Sequence, residues 1–419
     1  MLRPNALLIS IIALLLCMGC SIRDAKGGSD SSSVNDASSV NDASSANDEN
    51  AESGAVYLTN CRVIDGTGAA PVTNAVVAFK AGMITEVGPS ASIAIPKGAK
   101  VIDLSGATVM PGFINAHVHD AYNEQNLETW LRAGVTTVRD ESPRVVDFLA
   151  QRDRLNEELA HARIVSATPI LTVPDGYGHV YFTSAATARE VVSDYIADGV
   201  EIVKISIEDD LAGQTWEMPT YEMVKACVDT AHNGGCKVSV HISHERNLGW
   251  AIDAGVDDIS HMVVEPVSKE TADQMVQKGI YWVPTLELWN GVSEKHRLKW
   301  IDVAVENLST FYKAGGKVAL GTDFAGYTMS FDTGFPITEV NLMRQAGMNP
   351  MDIIVAGTKN AAEVCGISNA LGTVEVGKIA DLFVVNGNPL ADASFEEAFL
   401  SVRMVVHGGE IVVENGDVS

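Results

Sequence analysis

Short apolar runs alternate with longer amphipathic stretches through the middle of the chain. Ile202-Val203-Lys204-Ile205, Val238-Ser239-Val240-His241 and Val318-Ala319-Leu320-Gly321 have the length and β-branched content of buried strands, whereas 185–197 and 221–233 have the apolar spacing of helices. Strand and helix in turn predict an α/β fold with a parallel sheet, over about 110–370. The flanks differ. Residues 55–109 hold short β-type runs between turns, as in Ala75-Val76-Val77-Ala78-Phe79 and Met83-Ile84-Thr85-Glu86-Val87, and 371–419 does the same with Asp381-Leu382-Phe383-Val384-Val385 and 402–413. The two flanks are expected to pair into one small β-sandwich built from both ends.

The N-terminus follows another pattern. Arg3 precedes an apolar stretch from Ala6 to Leu16, too short for the roughly 20 residues of a membrane span but suited to a secretory signal. Leu16-Cys17-Met18-Gly19-Cys20 is similar to a bacterial lipobox, so cleavage before Cys20 would leave a lipidated cysteine and a protein anchored in the cell envelope. Ordinary cleavage with release, or an uncleaved anchor, stays open. Residues 21–54 repeat Ser-Ser-Val-Asn-Asp-Ala with almost no large apolar side chain, which predicts a disordered tether.

Charge narrows the partners. A formal net charge of −25 argues against nucleic acid and, as a field, favours neutral or cationic substrates over polyanions. Beyond the leader stand Cys61, Cys227, Cys236 and Cys365; a Cys227–Cys236 disulfide stays open, with free buried thiols the expected state.

Several predicted strands end in a ligand-type residue. His117 and His119 flank one valine at the end of an apolar run, so both imidazoles leave a strand on one face and can reach one metal ion. Lys204 lies inside an apolar strand, where an ammonium must be paired or modified. His241, His261 and Asp323 each close a further run. Pro174-Asp175-Gly176-Tyr177-Gly178-His179 forms a Gly-rich loop between the third and fourth strands, and His244 follows His241 in its loop. No Gly-x-Ser-x-Gly elbow or phosphate-binding Gly motif occurs, and Cys227 and Cys236 lack a Cys-x-x-Cys spacing; Gly234-Gly235 and Gly315-Gly316 read as helix ends. His161, His232, His296 and His407 lack strand-end placement and are expected to be structural or solvated.

The order His-x-His, Lys, His, His, Asp resembles the amidohydrolase superfamily. Asn60-Cys61-Arg62-Val63-Ile64-Asp65-Gly66, Pro111-Gly112-Phe113-Ile114-Asn115-Ala116-His117 and Leu371-Gly372-Thr373-Val374-Glu375-Val376-Gly377-Lys378-Ile379-Ala380-Asp381-Leu382 look like its imidazolonepropionase- and prolidase-like branch. The resemblance implies a (β/α)8 barrel with the site at its C-terminal mouth. It implies His117, His119 and Asp323 on one divalent ion, expected to be Zn²⁺, and His241 and His261 on a second. Lys204 would bridge them as an N-carboxylated lysine; an unmodified Lys204 paired with an acid such as Glu208 above a single ion is the alternative. Asp323 would be the general acid/base toward a bridging hydroxide, and His179, Tyr177 and His244 would face the substrate.

The expected activity is hydrolysis of a C–N bond in a dipeptide or N-acyl amino acid. A cyclic amide, imidazolone-type ring or lactone is the enzymatic alternative, although the imidazolone branch generally uses one metal. A solute-binding lipoprotein is the non-enzymatic alternative, and a homo-oligomer is left open.

Overall fold

The computed structural model describes residues 54–325 and 329–415. Eight parallel strands close into a barrel. They are Phe113–Val118, Val135–Asp140, Arg163–Ser166, Ile202–Ser206, Lys237–His241, Asp258–Ser260, Tyr281–Val283 and the extended stretch 318–322. The third meets the fourth through a bridge between Ala167 and Ile202, and the seventh meets the eighth between Trp282 and Val318. Ala116 N donates to Leu320 O at 2.8 Å and Val118 bridges Phe324, which closes the ring. The strands are apolar because both faces are covered: one side fills the barrel and the other meets helices such as Ala185–Ala197 and Tyr221–Asn233. Gly235 and Gly315 take positive φ just past helix ends, as the sequence predicted.

Both flanks build one further sheet of eight strands. Val56–Val63, Val72–Lys80, Met83–Pro89, Lys100–Asp103 and Thr108–Pro111 come from the N-terminal side; Leu382–Val385, Val402–His407 and Glu410–Glu414 come from the C-terminal side. They meet where Phe383 pairs with Met110 in antiparallel register. This strand runs to Pro111, two residues beyond the expected boundary, and Gly112 then passes so close to Thr136 that a Cβ would lie 2.2 Å from its Oγ1. A β-sandwich of both flanks thus abuts the barrel's first strand.

The barrel interior is partly ionic. Arg139, on the second strand and fully buried, holds Asp258 of the sixth strand through two hydrogen bonds of 2.8 and 3.0 Å, and Glu141 at 2.6 Å. Charges removed from water persist only with such partners. The cysteines expected to be free are so: Cys61, Cys227, Cys236 and Cys365 are buried thiols. Cys20, the signal segment and nearly all of the tether lie outside the described residues, among which no helix is long and apolar enough to cross a membrane.

Candidate metal centre

The strand ends bring five of the six expected ligand residues together around one point. His117 is the fifth residue of the first strand and His119 follows its end, so pleating directs both inward. Their Nε2 atoms lie 2.9 and 3.0 Å from Asp323 Oδ1. His261 follows the sixth strand with φ 70°, and Asp323 follows the eighth with φ 62°; both are in the left-handed region that non-glycine residues seldom adopt. Ligand atoms of His117, His261 and Asp323 lie within 4.8 Å of one another. His241 ends the fifth strand, its ring 4.7 Å from that of His261.

Protonation in this cluster suits a cation. Burial lowers the His117 imidazole to about 4 and holds His261 well below its ordinary value, so both are neutral donors. Burial pulls His119 down too, but the hydrogen bond and charge of Asp323 outweigh it and raise its pKa. For Asp323 burial acts upward, yet His117 and His119 outweigh it and keep the carboxyl ionised well below the ordinary carboxylate range. His261 Nδ1 is held by Thr285 Oγ1 at 2.9 Å, which leaves Nε2 for a ligand. His241 Nε2 is buried without a hydrogen-bond partner, 3.3 Å from Glu208 Oε2. Neutral imidazoles, an ionised carboxylate and a buried orphan nitrogen fit a divalent ion such as Zn²⁺.

Lys204 sits lower. Its Nζ lies 2.6 Å from Glu141 Oε2 and donates to Ser260 Oγ at 2.7 Å, and Glu141 also accepts from Ser239 Oγ at 2.9 Å. Lys204 does line the cavity. The acid beside it is Glu141, from the end of the second strand, rather than Glu208, which instead accepts from Ser243 N and adjoins His241.

The cavity above the centre places the weaker candidates. Tyr177 stacks on His241 with ring centroids 4.3 Å apart, and His179 lines the wall. His244 is not brought there. It is buried against Asp210, 2.8 Å from its Nε2, and hydrogen-bonded through Nδ1 to Glu265. His296, expected to be structural or solvated, does line the cavity, as do Arg144, Lys295, Trp289 and Trp300, which the sequence reading missed. Their only sequence signal was two tryptophans on consecutive helices, Leu286–His296 and Trp300–Lys313, and aromatic residues at helical spacing read as core.

Comparison with known proteins bears out the family and the fold. Residues 108–412 match the model of the amidohydrolase family. The chain is similar to the imidazolonepropionase of Rhizobium rhizogenes, 25% identical over 413 residues that cover 84% of this chain and 97% of that protein. It is also similar to the 5'-deoxyadenosine deaminase of Methanosphaera stadtmanae, 22% identical over 78% of this chain and 87% of that protein. Among solved structures, a Xaa-Pro dipeptidase with methionine bound in its active site superposes with a TM-score of 0.75 at 25% identity, covering 86% of this chain and all of that one.

Proposed function

The chain belongs to the amidohydrolase family, and from that premise we propose that it is a metal-dependent hydrolase of amide C–N bonds in dipeptides or N-acyl amino acids. The observation that carries this reading is the convergence of His117, His261 and Asp323 at the barrel mouth, with His119 and His241 beside them. A divalent ion held there supplies Lewis acidity, polarising the scissile carbonyl and making water more acidic.

The chain's own residues supply the proton path and the walls. Asp323, ionised and facing the cavity, accepts the proton of the attacking water and delivers it to the departing nitrogen. Tyr177, fixed over His241, covers one side of that path. The likeness to a Xaa-Pro dipeptidase supports a dipeptide, and the likeness to an imidazolonepropionase supports the cyclic-amide alternative.

In the fuller form of this proposal His117, His119 and Asp323 would hold one ion, His241 and His261 would hold a second, and a carboxylated Lys204 would be a ligand of both. One observation favours a second form, with a single ion and Lys204 as an ammonium: its nitrogen is already engaged by Glu141 and Ser260. Screening metal-replete protein against dipeptides, N-acyl amino acids and cyclic amides tests the function. Turnover that is lost on chelation and restored by Zn²⁺ is expected; no turnover of any of the three classes by metal-loaded protein overturns it.

A further inference from the structure

Helix Leu286–His296 lines the cavity through Leu288, Trp289 and Val292, yet it begins without a cap of its own. Helices Ala185–Ala197, Tyr221–Asn233 and Lys269–Lys278 are capped by the residue before them: Ser184, Thr220 and Ser268 stand in extended backbone and accept from an N–H of the first turn. Thr285 is the same kind of residue in the same place. Its φ is 48° instead, it makes no cap hydrogen bond, and its Oγ1 lies 2.9 Å from His261 Nδ1. Left-handed backbone is unfavourable for a β-branched residue and persists only where its surroundings hold it.

A carboxyl group from another helix does so. Glu339, on helix Ile337–Gln345 and fully buried, accepts from Glu287 N at 2.7 Å and takes up an N–H of the first turn that Thr285 leaves unpaired. Glu287 accepts in turn from Asp332 N, and Asp332 Oδ2 from Thr338 N at 2.6 Å, which ties the two helix starts together. His261 needs Thr285 for its ring alone. Its backbone is fixed separately, with N donating to Val283 O at 2.9 Å and the carbonyl accepting from Trp282 Nε1 at 2.6 Å. Nδ1–H donating to Thr285 Oγ1 selects the tautomer whose Nε2 carries a lone pair for a cation.

We propose that Glu339 is a positioning residue of the metal centre: it caps the helix in place of Thr285 and so frees the Thr285 hydroxyl to hold His261 toward the ion. This role rests on the hydrolase reading, in which His261 is a ligand, and Glu339 acts on it only through Thr285. Without Glu339 the Thr285 hydroxyl returns to its own helix, as the Thr220 hydroxyl does, and the His261 ring loses the partner that fixes its tautomer.

Two measurements test this, chelator competition for Zn²⁺ and nitrogen NMR of the His261 ring in metal-free protein, on wild type, Glu339→Leu, Glu339→Gln, Thr285→Val and the Thr285→Val/Glu339→Leu double variant. Thr285→Val is expected to weaken zinc binding by roughly 10- to 100-fold, the usual effect of losing a ligand's hydrogen-bond partner. Glu339→Leu should weaken it about fivefold, the worth of a helix cap, and turn one His261 tautomer into a mixture. Glu339→Gln, which keeps an accepting oxygen, should restore most of both. In the double variant the loss should not exceed that of Thr285→Val, because the two residues act on one path. Glu339→Asp, its carboxyl one methylene shorter, takes the place of Glu339→Leu if the latter does not fold. A lower Tm with wild-type zinc affinity and an unchanged tautomer overturns the proposal and leaves Glu339 a support of the fold alone; losses that add in the double variant overturn the path through Thr285. Wild type that binds no zinc overturns the metal-hydrolase reading, and the tautomer then still decides the role of Glu339.

Discussion

Lys204 Nζ and Glu141 Oε2 lie 2.6 Å apart inside the barrel, both side chains closed off from bulk solvent. The lysine comes from the fourth strand and the glutamate from the end of the second, so barrel closure makes the pair. Carboxylation of Lys204 would replace the ammonium that neutralises Glu141 with an anionic carbamate, and the ion content distinguishes the two forms.

In the two-ion form, metal-replete wild type contains close to two ions per chain and Lys204→Ala about one, with most activity lost and partly restored by short carboxylic acids. Elemental analysis that returns one ion for both proteins selects the ammonium form. In the ammonium form Lys204→Ala should also unfold more readily, because removing one partner of a buried pair costs about 3–5 kcal/mol; Arg139, still bound to Glu141, softens that loss.

Asp323→Asn retains the shape and one ligating oxygen but removes the proton acceptor. Its kcat, normalised to bound metal, should fall by roughly 10² or more, the usual worth of general acid–base catalysis. Turnover near wild type per loaded molecule would assign Asp323 to metal binding only.

Glu287 and Glu339 set a pH dependence away from the centre. Glu287 Oε1 accepts from Asp332 N at 2.5 Å and Glu339 Oε2 from Glu287 N at 2.7 Å, and burial pushes the two carboxyls up to about 9 and about 8. Because both values lie above the ordinary 4.5, the folded protein keeps protons that the unfolded chain has released between about pH 4.5 and 8 to 9. The contribution of the pair to stability therefore declines as pH rises through that window. Glu339→Gln should raise Tm at about pH 8 and change it little at about pH 5; the same shift at both would show that the carboxyl does not titrate there.

Cys20 carries the proposal of a lipid anchor in the cell envelope, on the strength of Gly19-Cys20 and the polar repeat behind it. In a bacterial host, wild type should take up labelled fatty acid and sediment with membranes, and Cys20→Ala should do neither. Soluble cytoplasmic wild type with Met1 intact would contradict the proposal.

The barrel and the strand-end placement of His117, His119, His241, His261 and Asp323 were legible because both depend on local pattern. An apolar run ending in His or Asp reads as a buried strand with its functional residue at the carboxyl end, and the period of two puts His117 and His119 on one face whatever surrounds them. The helices 185–197 and 221–233 fall where apolar spacing put them.

What surrounds each ligand was decided by tertiary structure. Nothing near Lys204 in the chain distinguishes Glu208, four residues away, from Glu141, sixty-three positions earlier; the parallel register of Lys204 with Ser239 and the closure of the ring select Glu141. His244 looked like a pocket residue by its nearness to His241, but its loop delivers it to Asp210 and Glu265. Arg144, Trp289 and Trp300 come to line one cavity only because separate loops and helices converge over the mouth. Periodicity is a property of neighbours along the chain and survives in sequence, whereas contact across a barrel depends on register, twist and closure, which no single segment encodes.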